Sequence, residues 1–182
     1  MFPHPLTPEL SLALLEPRHA EPLFRAVDQN RAHLRQWLPW LDLTESSADT
    51  LAFIHRTRQQ LAENNGFQTA ILYRGEIVGM VGHHGIEWSH RSTSLGYWLA
   101  EGAQGRGLVT TACRAYIGHA FGELGLNRVE VRAAAENRKS RAVAERLGFT
   151  QEGVIRDAEW LYDRFVDHAV YGLLAREWRG GS

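Results

Sequence analysis

Between Thr93 and Val131 the chain spells out one unit that restricts its architecture more than any other stretch. Thr93 to Leu99 alternates as a strand, Gly102 to Gly107 is a glycine-rich loop, and Leu108 to Leu124 contains no proline and reads as a helix ending at Gly125. Val129 and Val131 then alternate with Glu130 and Arg132 as another strand. A strand, a glycine loop, a helix and a strand form a crossover, which sets the two strands parallel and lays the helix on one face of their sheet.

The flanking segments extend that sheet. Leu10, Leu12 and Leu14 alternate with Ser11 and Ala13 as an opening strand, and Glu16-Pro17 ends it before a helical stretch with Leu23, Phe24 and Val27. Ser46 and Asp49 have the spacing of a capping box, followed by Leu51, Ile54 and Leu61 at helical intervals and a stop at Asn64-Asn65-Gly66. Phe67–Tyr73, Ile77–His84 and Thr93–Leu99, joined by turns at Arg74-Gly75-Glu76 and near Ser89-His90, predict an antiparallel meander. A short helix from Arg138 to Leu147 and two strand-like runs, Phe149–Ala158 and Tyr162–Leu174, complete a mixed α/β (α+β) sheet with flanking helices. The expectation is one domain over residues 1–178 and a flexible tail at 179–182, Arg179-Gly180-Gly181-Ser182.

Composition narrows the function classes. The 182 residues, 44% hydrophobic, suit one globular domain with a proper core, and 20 Lys and Arg against 21 Asp and Glu leave a net charge of −1, with no field to draw in nucleic acid or a membrane surface. A single cysteine, Cys113, makes no internal disulfide and reads as a small core residue within its helix. The first residues, Met1 to Pro8, lack the basic and apolar runs of a leader, and no segment approaches membrane-spanning length, so the expected compartment is the cytoplasm. His83 and His84 are adjacent on a strand and point to opposite faces, and no H-E-x-x-H or C-x-x-C spacing occurs, so no metal is expected.

In Gln104-Gly105-Arg106-Gly107 the glycines leave backbone N–H groups unobstructed, and the helix that follows directs its positive end at the loop, a setting that suits a diphosphate. Neither a Walker A nor a dinucleotide fingerprint is present, so these four residues alone fit a plain left-handed turn equally well. The context is more specific. Tyr97-Trp98-Leu99, Gln104-Gly105-Arg106-Gly107-Leu108, Asn137-Arg138-Lys139-Ser140, Glu145-Arg146-Leu147-Gly148-Phe149 and Glu152-Gly153 resemble, in order and spacing, the GNAT acetyltransferase superfamily over most of the chain. Arg35-Gln36-Trp37-Leu38-Pro39-Trp40-Leu41-Asp42 and the ending Tyr171-Gly172-Leu173-Leu174 with Glu177-Trp178 are similar to its ribosomal-protein-serine N-acetyltransferase branch, which acts on protein N-terminal amines.

The resemblance implies a GNAT-like, mostly antiparallel sheet with a splayed parallel strand pair, acetyl-CoA as cosubstrate, and an amine as acceptor. It assigns the CoA diphosphate to Gln104, Gly105, Arg106, Gly107, Leu108, Val109 and Thr110, with Val109 standing where the family usually has Gly or Ala. It further implies that backbone N–H groups of Trp98 and Leu99, freed by a splay after Leu99, bind pantetheine amides and the thioester oxygen. Asn137 reads as the cap of the helix whose first turn holds Ser140; the resemblance implies that both residues lie at the cofactor and that Ser140 donates toward the departing thiolate. A homodimer is also implied.

Attack on a thioester needs a neutral amine, and an α-amine (pKa about 7.7–8.0) reaches that state far more readily than lysine (about 10.4). Glu159, at the end of the run after Glu152-Gly153, where the resemblance implies an acidic residue facing the acceptor, is the candidate base, acting directly or through water, with Glu87 and Glu130 as rivals. Trp37 and Trp40, flanking Leu38-Pro39, serve either as a wall of the acceptor slot or as core anchors, and alternation allows at most one of Tyr97 and Trp98 to face the substrate. The reading is an acetyltransferase using direct transfer, with an N-terminal α-amine as acceptor. Its alternatives are a small-amine acetyltransferase (polyamine, amino acid or aminoglycoside) and a non-catalytic acyl-CoA sensor.

Overall fold

The computed structural model describes residues 4–180; positions 1–3 of the opening segment and 181–182 of the expected tail lie outside the described residues. Eight strands form one sheet: β1 (His4–Pro5), β2 (Leu10–Leu14), β3 (Gln68–Tyr73), β4 (Glu76–Glu87), β5 (Ser92–Leu99), β6 (Arg128–Ala134), β7 (Thr150–Leu161) and β8 (Arg164–Leu174). Their order is β1-β2-β3-β4-β5-β6-β8-β7, and every neighbouring pair is antiparallel except β5 and β6. The helices are α1 (Ala20–Gln29), α2 (Arg31–Leu34), α3 (Ser47–Ala62), α4 (Leu108–Gly122) and α5 (Arg138–Arg146).

The sheet has an apolar layer on each side. Val81, Leu95, Val129, Val131 and Tyr171 pack on one face against Cys113 and Ile117 of α4 and Val143 of α5. On the other face Ala70 and Met80 meet Leu23 of α1 and Ile54 of α3. The Ser46–Asp49 capping box closes the start of α3 reciprocally, so two amides that would otherwise be orphaned are satisfied by a four-residue sequence signal.

Three local features differ from the sequence expectation. The splay begins earlier than Leu99: β5 and β6 are paired only over Ser92–Leu95 and Arg128–Val131, after which β5 stays with β4 and β6 with β8. The last two strands do not break between Ala158 and Tyr162, because the hairpin turn falls at Tyr162-Asp163. Glu159 therefore sits inside β7, just past a bulge where the register jumps from Ile155↔His168 to Glu159↔Val166 and Asp157 takes φ +48°. The bulge is held by the Asp157 N–H, which donates to Asp167 Oδ1 at 2.9 Å.

Candidate active site

Parting β5 from β6 opens the sheet. An antiparallel ladder points alternate backbone groups to alternate sides, and the Ala100 N–H donates to Val78 O while Gly79 stands opposite Leu99. That parity turns Trp98 toward Met80 of β4 and turns the backbone groups of Tyr97 and Leu99 into the gap. Of the two residues whose amides the resemblance implicated, Leu99 thus turns its backbone groups to the gap, as Tyr97 does, and Trp98 turns its own toward β4.

A cavity of about 830 Å³ occupies this opening. It brings together Trp37, Trp40, Tyr97, Trp98, Asn137, Ser140 and Glu159, seven residues from segments scattered over the whole chain. Tyr97 belongs to the α4 side of the sheet and Trp98 to the α1 and α3 side, yet both line the cavity because the gap admits it from either face. Gly96 contributes by absence: a Cβ there would collide with the His84 imidazole, which lies across the strand at the cavity wall.

The donors at the inner end are fixed by packing. Asn137 Oδ1 accepts the Ser140 N–H at 3.2 Å, the N-cap bond that positions the first turn of α5. Tyr97 Oη donates to the Ser140 carbonyl at 2.9 Å and accepts from Ser140 Oγ at 3.4 Å. Burial pushes the Tyr97 phenol well above its usual range, so it remains a neutral hydroxyl.

Opposite them stands Glu159, its Oε2 3.5 Å from Nε2 of His168 on β8, both lining the same cavity. The two rival carboxylates lie elsewhere. Glu87 and Glu130 line a separate hollow of about 380 Å³ with Asn65, Ser92 and Arg128. Glu87 is held below the usual range by hydrogen bonds from Ser89. For Glu130 burial pulls upward, and the hydrogen bonds of Arg128 and Arg132 overcome it and hold the group low.

The outer wall is the Trp37–Trp40 segment, whose two indoles both line the cavity, Trp40 with its ring centroid 6.5 Å from that of Trp98. Tyr162 pins this wall: its hydroxyl donates to Leu38 O and accepts the Leu41 N–H, while Arg35 stacks 3.7 Å from its ring centroid and holds Asp42 with two bonds of 2.8 Å. Asp49 and Arg56 of α3 and Arg132 of β6 add charge to the lining. Asp49 is held below the usual carboxylate range by the Ser46 hydroxyl and neighbouring amides.

The glycine loop lies at the start of α4. Gly105 and Gly107 have φ of +76° and +73°, and a Cβ at either would meet nothing within 4 Å. The N–H groups from Gly105 to Thr110 donate to no acceptor among the described residues, while the Thr111 N–H begins the helix ladder at Gly107 O. Six consecutive free amides around an uncovered turn, at the positive end of a helix of 15 residues, fit a diphosphate. Leu108 and Val109 are buried and anchor the turn. Gln104 ties it to two helices, its Nε2 2.9 Å from His33 Nε2 and its Oε1 accepting from Lys139 Nζ at 2.8 Å. Arg106 is exposed, its guanidinium 5.8 Å from the Tyr73 ring centroid.

Sequence reasoning missed Lys139 as a loop partner, and it missed His168 and His84 as cavity residues. Lys139 stood in a quoted motif but with no visible partner. His168 needed the β7 bulge, which no residue pattern announced. Among the described residues, no group of three or more His, Cys, Asp or Glu is placed to hold a metal ion.

An open parallel strand pair, a free-amide turn on the following helix and a two-sided cavity define an acyltransferase that draws its acyl group from a CoA thioester. Residues 9–150 match the family model for the acetyltransferase (GNAT) domain, and the chain belongs to that family: it is an acetyl-CoA-dependent N-acetyltransferase. It is 41% identical over 182 residues, 99% of each chain, to YdaF of Bacillus subtilis (strain 168), whose name assigns it provisionally to the ribosomal N-acetyltransferases. The solved structure of RimL, a ribosomal L7/L12 alpha-N-protein acetyltransferase in complex with coenzyme A, superposes with a TM-score of 0.90 at 26% identity, covering 93% of this chain and 96% of that one. The microcin C7 self-immunity acetyltransferase MccE, in complex with acetyl-CoA and AMP, gives a TM-score of 0.90 at 27% identity over 96% and 97% of the two chains.

Proposed function

We propose that this enzyme acetylates the α-amine of a protein N-terminus, a ribosomal protein being the class that its relatives' names suggest. The observation that carries the reading is the opening at the splay, where one cavity is lined by the Ser140–Tyr97 pair, by Trp37 and Trp40 and by Glu159, with the glycine loop tied through Gln104 to Lys139 beside Ser140. About 830 Å³ is room for the first residues of a chain rather than for an isolated amine.

The residues divide the chemistry. The turn from Gln104 to Thr110 holds the diphosphate, and the backbone of Tyr97 and Leu99 along the splayed strand receives the pantetheine arm and the thioester oxygen. Acetyl-CoA supplies an activated acyl carbon. Glu159 draws a proton from the incoming amine, directly or through a water, and Ser140 Oγ donates toward the sulfur as the thiolate departs. With a thiol pKa near 8.5, full proton transfer to sulfur is unnecessary. At about pH 7.4 roughly a quarter of an α-amine is already free base, against about one part in a thousand of a lysine, so a carboxylate base suffices for the former.

The test supplies acetyl-CoA with a peptide beginning in serine, the same peptide blocked at its α-amine, free lysine and spermidine, and reads the roughly 42 Da gain by mass spectrometry. Acetylation of the open peptide alone is the expected result; spermidine or lysine as the sole acceptor overturns the reading. Residues 1–178 act as one catalytic domain in this proposal, in the cytoplasm. A homodimer through the β7 edge is part of it as well, because Val154, Ile155, Trp160 and Phe165 are large apolar side chains left exposed on β7 and β8. Light scattering checks that point.

A further inference from the structure

We propose that proton removal from the acceptor is the work of a Glu159–His168 pair, in which the imidazole receives the proton and the carboxylate orients and stabilises it. The inference rests on Glu159 being the carboxylate that serves this step, and it moves the atom that takes the proton from that carboxylate to its imidazole partner. The two side chains come from adjacent strands on one face. Val166 and His168 alternate to the same side of β8, and the β7 bulge sets Glu159 opposite Val166, diagonal to His168. Without the jump between Ile155 and Glu159 this diagonal would not form.

The contact is Nε2 to Oε2 at 3.5 Å, with side-chain exposures of 16% and 28%, shielded from bulk water but open to the cavity. A neutral imidazole beside a carboxylate places its N–H toward it, here at Nε2, which leaves Nδ1 as the basic atom. Nδ1 has no hydrogen-bond partner among the described residues. An imidazole is nearer to an α-amine in basicity than a carboxylate is. The pair therefore combines a better base with a counter-charge for the imidazolium that results.

One proton passes from the ammonium nitrogen to His168 Nδ1, directly or through a water, and the freed lone pair forms the N–C bond to the acyl carbon. The C–S bond breaks with its electron pair going to sulfur, and the second nitrogen proton passes to water as the amide forms. The imidazolium then returns its proton to solvent. Other titratable or charged groups line the same cavity: His84 on β4, Arg132 on β6, and Asp49 and Arg56 on α3. Arg132 is engaged by Glu130, and Asp49 by the α3 cap.

The experiment measures kcat and KM over pH for the wild type and for His168→Ala, His168→Gln and Glu159→Gln, using the serine peptide or whichever amine the screen above selects. His168→Ala is expected to lose about 10²-fold in kcat with little change in KM for acetyl-CoA, to displace the acid limb of the profile, and to regain at least about tenfold on addition of millimolar imidazole. His168→Gln keeps a donor for Glu159 but no base, and is expected to be as slow as His168→Ala. If Glu159→Gln is slow while the His168 variants keep wild-type kcat and pH profile, or if imidazole restores nothing, the pair is overturned and Glu159 acts alone. Full activity in Glu159→Gln, or no turnover by the wild type with any amine, sinks both readings. Circular dichroism at each pH separates unfolding from lost chemistry.

Discussion

The Tyr97 hydroxyl donates to the backbone carbonyl of Ser140 at 2.9 Å, bridging the splayed end of β5 to the first turn of α5. One bond thus fixes two elements that flank the cavity and leaves the Ser140 hydroxyl only loosely held, by Tyr97 Oη at 3.4 Å; in the proposed function that hydroxyl turns toward sulfur. Ser140→Ala is expected to lower kcat about tenfold with KM for acetyl-CoA nearly unchanged, the signature of a bond made only in the transition state. Tyr97→Phe is expected to cost about 1 kcal/mol of stability as well, since it removes the part-buried hydrogen bond to the Ser140 carbonyl. Steady-state kinetics and denaturant titration on both variants check this.

Gly107 caps α4 at φ +73° and ψ 7°, with free amides on both sides of it. Alanine there meets no atom within 4 Å, so the penalty is conformational, about 1–2 kcal/mol for an L-residue in the left-handed region. Relaxing that strain tilts the amides away from their common focus. Calorimetry with coenzyme A is expected to show binding weakened about tenfold in Gly107→Ala, while kcat at saturating acetyl-CoA falls by less.

How far the sequence led can be judged from these same residues. The crossover, the capping box at Ser46, the N-cap at Asn137 and the meander were all legible, because each rests on local chemistry: period-2 alternation, a side-chain oxygen three residues before an amide, glycines where φ turns positive. The splay was legible as a kind but not as a position, since where β6 leaves β5 depends on its pairing with β8, about forty residues on. The Glu159–His168 contact was not legible at all. It needs a bulge secured by Asp157 and Asp167 on two strands, and nothing in either strand's own pattern marks the register jump. The exclusion of Glu87 and Glu130 from the cavity likewise required the sheet register.

Tyr162 tests whether the tryptophan wall serves the acceptor. Its hydroxyl holds Leu38 O and the Leu41 N–H, and so sets where Trp37 and Trp40 stand, from a turn more than a hundred residues away in sequence. Tyr162→Phe keeps the ring under Arg35 and removes both bonds. The expected outcome is KM for the acceptor raised about three- to tenfold with KM for acetyl-CoA unchanged, because the two bonds removed hold Leu38 and Leu41 and neither reaches the glycine loop. Equal changes in both constants would return the two tryptophans to a purely structural role.

His83 sets the pH range of the fold. It is fully buried, its Nδ1 accepts the Phe67 N–H at 3.3 Å, and Nε2 has no hydrogen-bond partner among the described residues, packed as the ring is against Phe67 and Tyr116 with centroids 5.0 Å away. Burial, with smaller contributions from His119 and His84, lowers its pKa from 6.5 to about 4. The unfolded chain therefore binds the proton more readily than the folded one throughout that interval. The stabilisation is fully present above about pH 6.5 and is lost as pH falls toward about 4, a cost of about 2 kcal/mol between about pH 7.5 and pH 5. The carboxylates held low by hydrogen bonds, such as Asp49 and Glu87, add their own losses only at lower pH. Urea titrations at the two pH values are expected to show that drop in the wild type. In His83→Phe, which fills the same aromatic pocket without a titrating group, the drop should shrink to what His19 and His84, both lowered chiefly by desolvation, contribute. An undiminished drop would mean that His83 does not carry the pH dependence.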